Sequence, residues 1–363
     1  MTRLHDLHTS QGQSPWLDNI QRGWLTSGEL AGWVDRGVRG LTSNPSIFQK
    51  AIEGSAEYDD QFRASIAAGL DLEASYWELV TSDISAALNI LRPVYDGSGG
   101  LDGYVSVEVD PSLARDAAGT EAAARELAVR LDSPNLYIKI PATAEGLAPI
   151  RQMIAEKRSI NVTLIFSLDR YAQVMESYIA GLEGAEGDLS GISSVASFFI
   201  SRVDVEVDRR LEEIGTPEAL ALRGRAAIAN AKLAYDLFRQ TFTGPRWEVL
   251  ARRGARVQRP LWASTSTKNP EYPDTLYVDE LIGPDTVNTL PDNTLEAFDE
   301  HGTVARTIDA GVDDARLTID HLATLGIDMG EVTQKLEDEG AAAFEKSFDQ
   351  LLGVLGEKAA DFG

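Results

Sequence analysis

The sequence predicts a (β/α)8 barrel with additional helices, including a helical extension at the C-terminal end. Three observations lead there. Eight short β-rich runs recur along the chain, longer helix-like stretches lie between them, and 363 residues are enough for eight such units. An open, doubly wound parallel sheet fits the same alternation.

The elements follow in order. Residues 1–14 are polar, carry Arg3, His5 and His8, and lack the apolar stretch of a secretion signal. The first strand is read at Trp16–Ile20 and the second at Gly40–Thr42. Pro45 closes the second strand and opens a helix over Pro45–Ala51, because proline tolerates only the first helical turn. A helical insertion over Asp59–Arg92 has an apolar stripe through Tyr76, Leu79, Val80 and Ile84. Gly97-Ser98-Gly99-Gly100 is short enough to be a surface loop before the third strand, Tyr104–Val109. Strands at Leu136–Ile140, Asn161–Phe166 and Val195–Ser201 alternate with helices at Thr120–Arg130, Gly146–Lys157, Ser167–Leu182 and Val203–Ile214. A second insertion, Pro217–Phe242, precedes the strands Pro260–Ala263 and Thr286–Leu290 and a helix at Leu295–Glu300. Residues 15–300 are thus assigned to the barrel. Residues 301–363, acidic and helical over Val304–Ala323 and Glu331–Leu355, are read as helices packed on it. An exposed, solvated helix pair is the alternative for so charged a tail.

Composition narrows the function. There are 57 acidic and 33 basic side chains, for a formal net charge of -24. That balance opposes sequence-independent binding to nucleic acid or to an anionic membrane. No apolar run approaches the roughly 20 residues that span a bilayer, and a cytoplasmic location is expected. Assembly into a homo-oligomer is compatible with the sequence. Cysteine is absent, and the four histidines are His5, His8, His301 and His321. Between residues 9 and 300, proton transfer therefore falls to carboxylates, lysine, tyrosine or water, and no histidine- or thiolate-based metal site is expected.

Polar residues inside the predicted strands locate the chemistry, since barrel active sites lie at the C-terminal ends of the strands. Period-two alternation places Tyr137 and Lys139 on one face of Leu136-Tyr137-Ile138-Lys139-Ile140-Pro141. A lysine directed into the barrel would be desolvated, its pKa lowered from about 10.4 towards the neutral amine that attacks carbonyls. A strand-end lysine snorkelling to solvent is the alternative. Ser106 and Glu108 share a face of the third strand, where glutamate is unfavourable unless it meets a polar centre or solvent. Asn161 and Thr163 share a face of the fifth. Asp18 in the first predicted strand could be a cap or a surface charge, and Asn44 before Pro45 is in the usual place for a helix N-cap. Ser197 and Arg202 follow near the sixth strand, and Ser264 and Lys268 near the seventh. Each residue alone has a structural explanation. Their recurrence in strand after strand points to a common polar centre.

In order, the segments Leu41-Thr42-Ser43-Asn44-Pro45-Ser46, Val105-Ser106-Val107-Glu108-Val109-Asp110, Tyr137-Ile138-Lys139-Ile140-Pro141, Asn161-Val162-Thr163-Leu164-Ile165-Phe166 and Ser197-Phe198-Phe199-Ile200-Ser201-Arg202 resemble the transaldolase family over about residues 15–300. The resemblance implies a TIM barrel and a Schiff-base transferase of the non-oxidative pentose phosphate pathway, without metal or organic cofactor. A dihydroxyacetone unit would pass from sedoheptulose 7-phosphate or fructose 6-phosphate to glyceraldehyde 3-phosphate or erythrose 4-phosphate. Lys139 would form the Schiff base, Asp18 would take the C4 hydroxyl proton, and Glu108 with Thr163 and a water would relay protons. Thr42, Asn44, Asn161 and Ser197 would hold substrate hydroxyls beside Phe199. Arg202, Ser264 and Lys268 would meet the phosphate.

The chain departs from the family pattern in two places. Lys268, after a longer spacer, stands where an arginine is frequent, and Ser201 stands where glycine is. Fructose-6-phosphate aldolases share the lysine but carry glutamine in place of Glu108 and tyrosine in place of Phe199, so both residues favour the transferase. A non-catalytic barrel serving as an interaction module is the remaining alternative.

Overall fold

In a computed structural model that describes residues 2–361, eight parallel strands close into a barrel in sequential order. They are β1 (Gln13–Leu17), β2 (Gly40–Thr42), β3 (Tyr104–Glu108), β4 (Leu136–Pro141), β5 (Ile160–Ile165), β6 (Ser194–Phe199), β7 (Arg259–Ala263) and β8 (Thr286–Leu290). The open-sheet alternative is excluded because β1 pairs with both β2 and β8. Met1, Phe362 and Gly363, which fall in the segments assigned to 1–14 and 301–363, lie outside the described residues.

The first strand is a correction. It runs from Gln13 to Leu17, not from Trp16 to Ile20, so Asp18 lies one residue beyond its C-terminal end. Its early residues are polar and buried, held by hydrogen bonds within the fold, although Gln13 Oε1 has no partner among the described residues. Gln13 Nε2 donates to Leu281 O at 2.7 Å, and Ser14 Oγ donates to Asp102 Oδ2 at 2.9 Å. Buried polar side chains with partners inside the fold do not register as strand in a hydropathy pattern. Ahead of it, residues 3–11 form a helix capped by Thr2 and closed by Gly12 at φ 71, with Leu4 and Leu7 buried.

Side chains fill the interior in layers, as barrel closure requires. One inner layer is aromatic, with Tyr104 and Tyr137 stacked at 4.0 Å between centroids and Trp16 6.0 Å from Tyr137. Gly40 makes that layer possible, because a Cβ there would stand 2.4 Å from the Trp16 ring. Two residues further along these strands the inward positions are polar, including Thr42, Ser106, Glu108 and Lys139. Pairing places Glu108 opposite Lys139 and Lys139 opposite Asn161. This aromatic layer underlies the polar ceiling at the C-terminal mouth, and beneath it the buried Asp102 pairs with Arg39 at 2.7 Å and Arg259 at 3.1 Å.

The two insertions and the tail become helices, among them Leu72–Gly97, Ala226–Thr241, Val312–Thr324 and Met329–Asp361. The last is not a solvated helix. Val332, Leu336, Phe344, Phe348, Leu351 and Leu355 are buried along one stripe at intervals of three, four and eight residues. Ion pairs fix its polar edges, from Arg170 to Glu337 at 3.2 Å and from Lys335 to Glu206 at 2.7 Å. Gly340 completes the stripe at the point of closest approach to the barrel. A Cβ there would lie 2.9 Å from Leu164 Cδ2 and 3.4 Å from Arg202 Nη1. Gly340→Val is therefore expected to lift the helix and destabilise the fold by about 1–3 kcal/mol, the scale of overpacking a tight contact. Thermal melts would check this, and an unchanged Tm would contradict the packing described.

Candidate active site

At the C-terminal ends of the strands, the side chains enclose a cavity of about 130 Å³. Lys139 is near its floor. The Nζ donates to Glu108 Oε2 at 2.9 Å and to Ser43 O at 3.3 Å, and both charged side chains are buried. Burial pushes the Glu108 carboxyl above its ordinary range, against the opposing pull of Lys139. A carboxylate raised by burial and held against the Lys139 nitrogen is placed to exchange a proton with it.

Asp18 faces the same space from just past β1. It accepts from Thr42 Oγ1 at 2.7 Å, and Thr42 Oγ1 lies 2.6 Å from Thr289 Oγ1. Burial raises the Asp18 carboxyl, while Thr42 and the charges of Lys139, Arg202 and Lys268 act against it. Thr163 lines the cavity, and its buried Oγ1 has no hydrogen-bond partner among the described residues. Such a hydroxyl has its capacity free for a water or a ligand.

Asn44 takes both of its expected positions. It caps the helix Pro45–Glu53, accepting from Ile47 N at 3.0 Å, and it also lines the cavity. Asn161 does not line it. Its Nδ2 donates to Ser106 Oγ at 3.0 Å and its Oδ1 accepts from Ser197 Oγ at 2.7 Å, so both ends of the amide are committed. Ser197 stands in front of it, within the cavity wall.

Arg202 and Lys268 form the outer wall. The Arg202 guanidinium lies over the rings of Phe199 at 5.2 Å and Phe344 at 5.9 Å. Lys268 Nζ donates to Ser266 Oγ at 2.6 Å. Ser201 ties this wall together, its Oγ 2.9 Å from Ser264 Oγ and its N donating to Ser264 O at 3.0 Å. Ser264 adopts φ 57, a turn that starts the loop carrying Lys268.

A model of the family described as transaldolase/fructose-6-phosphate aldolase matches residues 15–355. The chain belongs to that family. A transaldolase of Parafrankia sp. is 52% identical over 360 residues, covering 98% of this chain and 97% of the relative. One of Acidothermus cellulolyticus is 53% identical over 352 residues, covering 96% and 94%. One of Thermobifida fusca is 51% identical over 354 residues, covering 96% of each.

Within this transaldolase/fructose-6-phosphate aldolase barrel, sequence reasoning missed Phe344, Thr289 and Ser266. Thr289 sits in a strand that was recognised, on an inward position. Phe344 has no local signal, since it belongs to a helix whose apolar stripe resembles any packed helix. Its ring lies 5.5 Å from Lys139 Nζ and roofs the cavity.

The raised Asp18 carboxyl has a consequence for stability. The folded state disfavours its ionised form, so a cost sets in as pH rises from the ordinary carboxylate range through the raised value. Asp18→Asn keeps an acceptor for Thr42 and removes that cost. Its Tm is expected to exceed that of the wild type at neutral pH, with the gap narrowing towards about pH 4. Melts across that range would check it, and a gap that does not depend on pH would contradict it.

Proposed function

We propose that this enzyme is a transaldolase, moving a dihydroxyacetone unit from a ketose phosphate to an aldose phosphate through a Schiff base on Lys139. The observation that carries the proposal is the buried Lys139–Glu108 contact of 2.9 Å, at the floor of a cavity whose outer wall holds Arg202 and Lys268. Glu108 can take the ammonium proton, leaving the neutral amine to attack the ketose carbonyl. Proton transfers that form and dehydrate the carbinolamine then run between Glu108, a water and Thr163, whose free hydroxyl suits that place. Asp18 takes the C4 hydroxyl proton as the C3–C4 bond breaks and the iminium accepts the electron pair. Asn44 and Ser197 hold hydroxyls of the three-carbon fragment, with Asn161 orienting Ser197 from behind. The enamine then adds to the incoming aldehyde, the steps reverse, and water releases the product.

Glu108 and Phe199 favour transfer over simple cleavage. Phe199 presents a ring with no hydroxyl to the cavity, packed 5.1 Å from Phe166. The enamine thus meets fewer proton donors before an acceptor arrives. A non-catalytic role is disfavoured by the same geometry, because a retained scaffold gains nothing from a buried ion pair beside an unpartnered hydroxyl. Residues 15–300 form the catalytic unit on this reading, with the helix beyond residue 329 closing its mouth. Among the described residues, no helix is long and apolar enough to cross a membrane. We place the enzyme in the cytoplasm, where its anionic substrates are found.

Borohydride reduction in the presence of fructose 6-phosphate is expected to trap an adduct on Lys139, and Lys139→Ala to abolish it. Mass spectrometry of peptides would locate the adduct, and wild-type protein that traps nothing would refute the mechanism. Free dihydroxyacetone should accumulate slowly without erythrose 4-phosphate, and Phe199→Tyr should shift the ratio of transfer to release towards release. Rapid release by the wild type would favour the aldolase instead.

A further inference from the structure

The inner cavity opens outward into a vestibule of about 450 Å³. Arg202 and Lys268 border both spaces, whereas Lys50 lines the vestibule alone. The three cations come from separate elements: the helix after β2, the start of the helix after β6, and the loop after β7. None of them makes an ion pair among the described residues, although the chain has 57 acidic side chains. The carboxylates lining the vestibule are Asp18, already accepting from Thr42, and Asp292, accepting from Asn19 Nδ2 at 3.2 Å. Lys268 is held below its ordinary range first by burial and then by the charges of Arg202 and Lys50. Cations that repel one another and lack carboxylate partners are poised for an anion.

We propose that Lys50 is a third phosphate-binding residue, serving the longer sugar phosphates. The proposal rests on the sugar-phosphate reading above and deepens it. With the carbonyl carbon fixed at Lys139, a ketose phosphate one carbon longer carries its phosphate further outward. The inner position is bounded by Arg202 and Lys268, and the outer one adds Lys50. A structural role for Lys50 would be different, as a cation in the last turn of the helix Pro45–Glu53 complementing its dipole.

The test compares sedoheptulose 7-phosphate with fructose 6-phosphate as donors for the wild type, Lys50→Met and Lys50→Arg. The expected result in Lys50→Met is a fall of about fivefold in the ratio of kcat/KM for the longer donor to that for the shorter, the upper end of the scale for one exposed charge contact. Lys50→Arg should restore the ratio, and raised ionic strength should shrink the wild-type advantage. An equal loss on both donors, or a lower Tm with the ratio unchanged, would assign Lys50 to the helix end and overturn the proposal. Borohydride trapping in each variant separates the two claims. A wild type that traps no adduct refutes the Schiff-base reading, whereas normal trapping with an unchanged ratio refutes only the role of Lys50.

Discussion

The upper half of the barrel depends on keeping the charges of Lys139 and Glu108 together out of water. Removing two such ions from solvent costs several kcal/mol each, and only close contact with additional hydrogen bonds offsets it. The register of β3 against β4 supplies the contact, by placing the two residues directly opposite each other. Ser43 O accepts a further bond from the ammonium. The aromatic layer of Trp16, Tyr104 and Tyr137 closes the space below. A slip of one residue in this register would turn one of the two charges into the apolar shell between strands and helices and leave the other unpaired, so fold and chemistry share one constraint.

The same constraint explains why the mouth differs so much from the rest of the surface. A chain with a net charge of -24 repels anionic substrates at long range. Within about a Debye length of the cavity, that field gives way to Arg202, Lys268 and Lys50. Arg202 is held by aromatic rings rather than by a carboxylate, which leaves the planar fork of its guanidinium uncommitted. Lys268 adds a point charge on the loop after β7, and Ser201 and Ser264 are joined across the turn that starts that loop. The departures from the family pattern are thus connected.

Legibility from sequence followed from how each residue is paired. Lys139, Glu108 and Thr163 stood out because alternation in an apolar strand makes a polar side chain conspicuous. Seven of the eight strands were located to within two residues at either end for the same reason. The start of β1 is hidden because Gln13 and Ser14 are buried yet polar, with Gln13 Nε2 and Ser14 Oγ bonded to Leu281, Thr286 and Asp102 from far along the chain. Asn161 was correctly found on an inward face. Its commitment to Ser106 and Ser197 is a property of three strands together, which no single strand displays.

Phe344 is the extreme case of that dependence, and it links stability to turnover. It comes from the last helix, yet it covers Lys139 and stacks near Arg202. Gly340, one turn earlier, allows that helix to come close enough for the ring to reach. Phe348, one turn later, packs 5.2 Å from Tyr76 and anchors the helix to the first insertion. The roof over Lys139 is therefore held in place by packing well outside the barrel. Water exclusion matters most while the enamine waits for its acceptor, because a proton delivered then ends the cycle as free ketone. On the proposed transfer mechanism, loosening the last helix should for that reason affect the fate of the intermediate before it affects its formation.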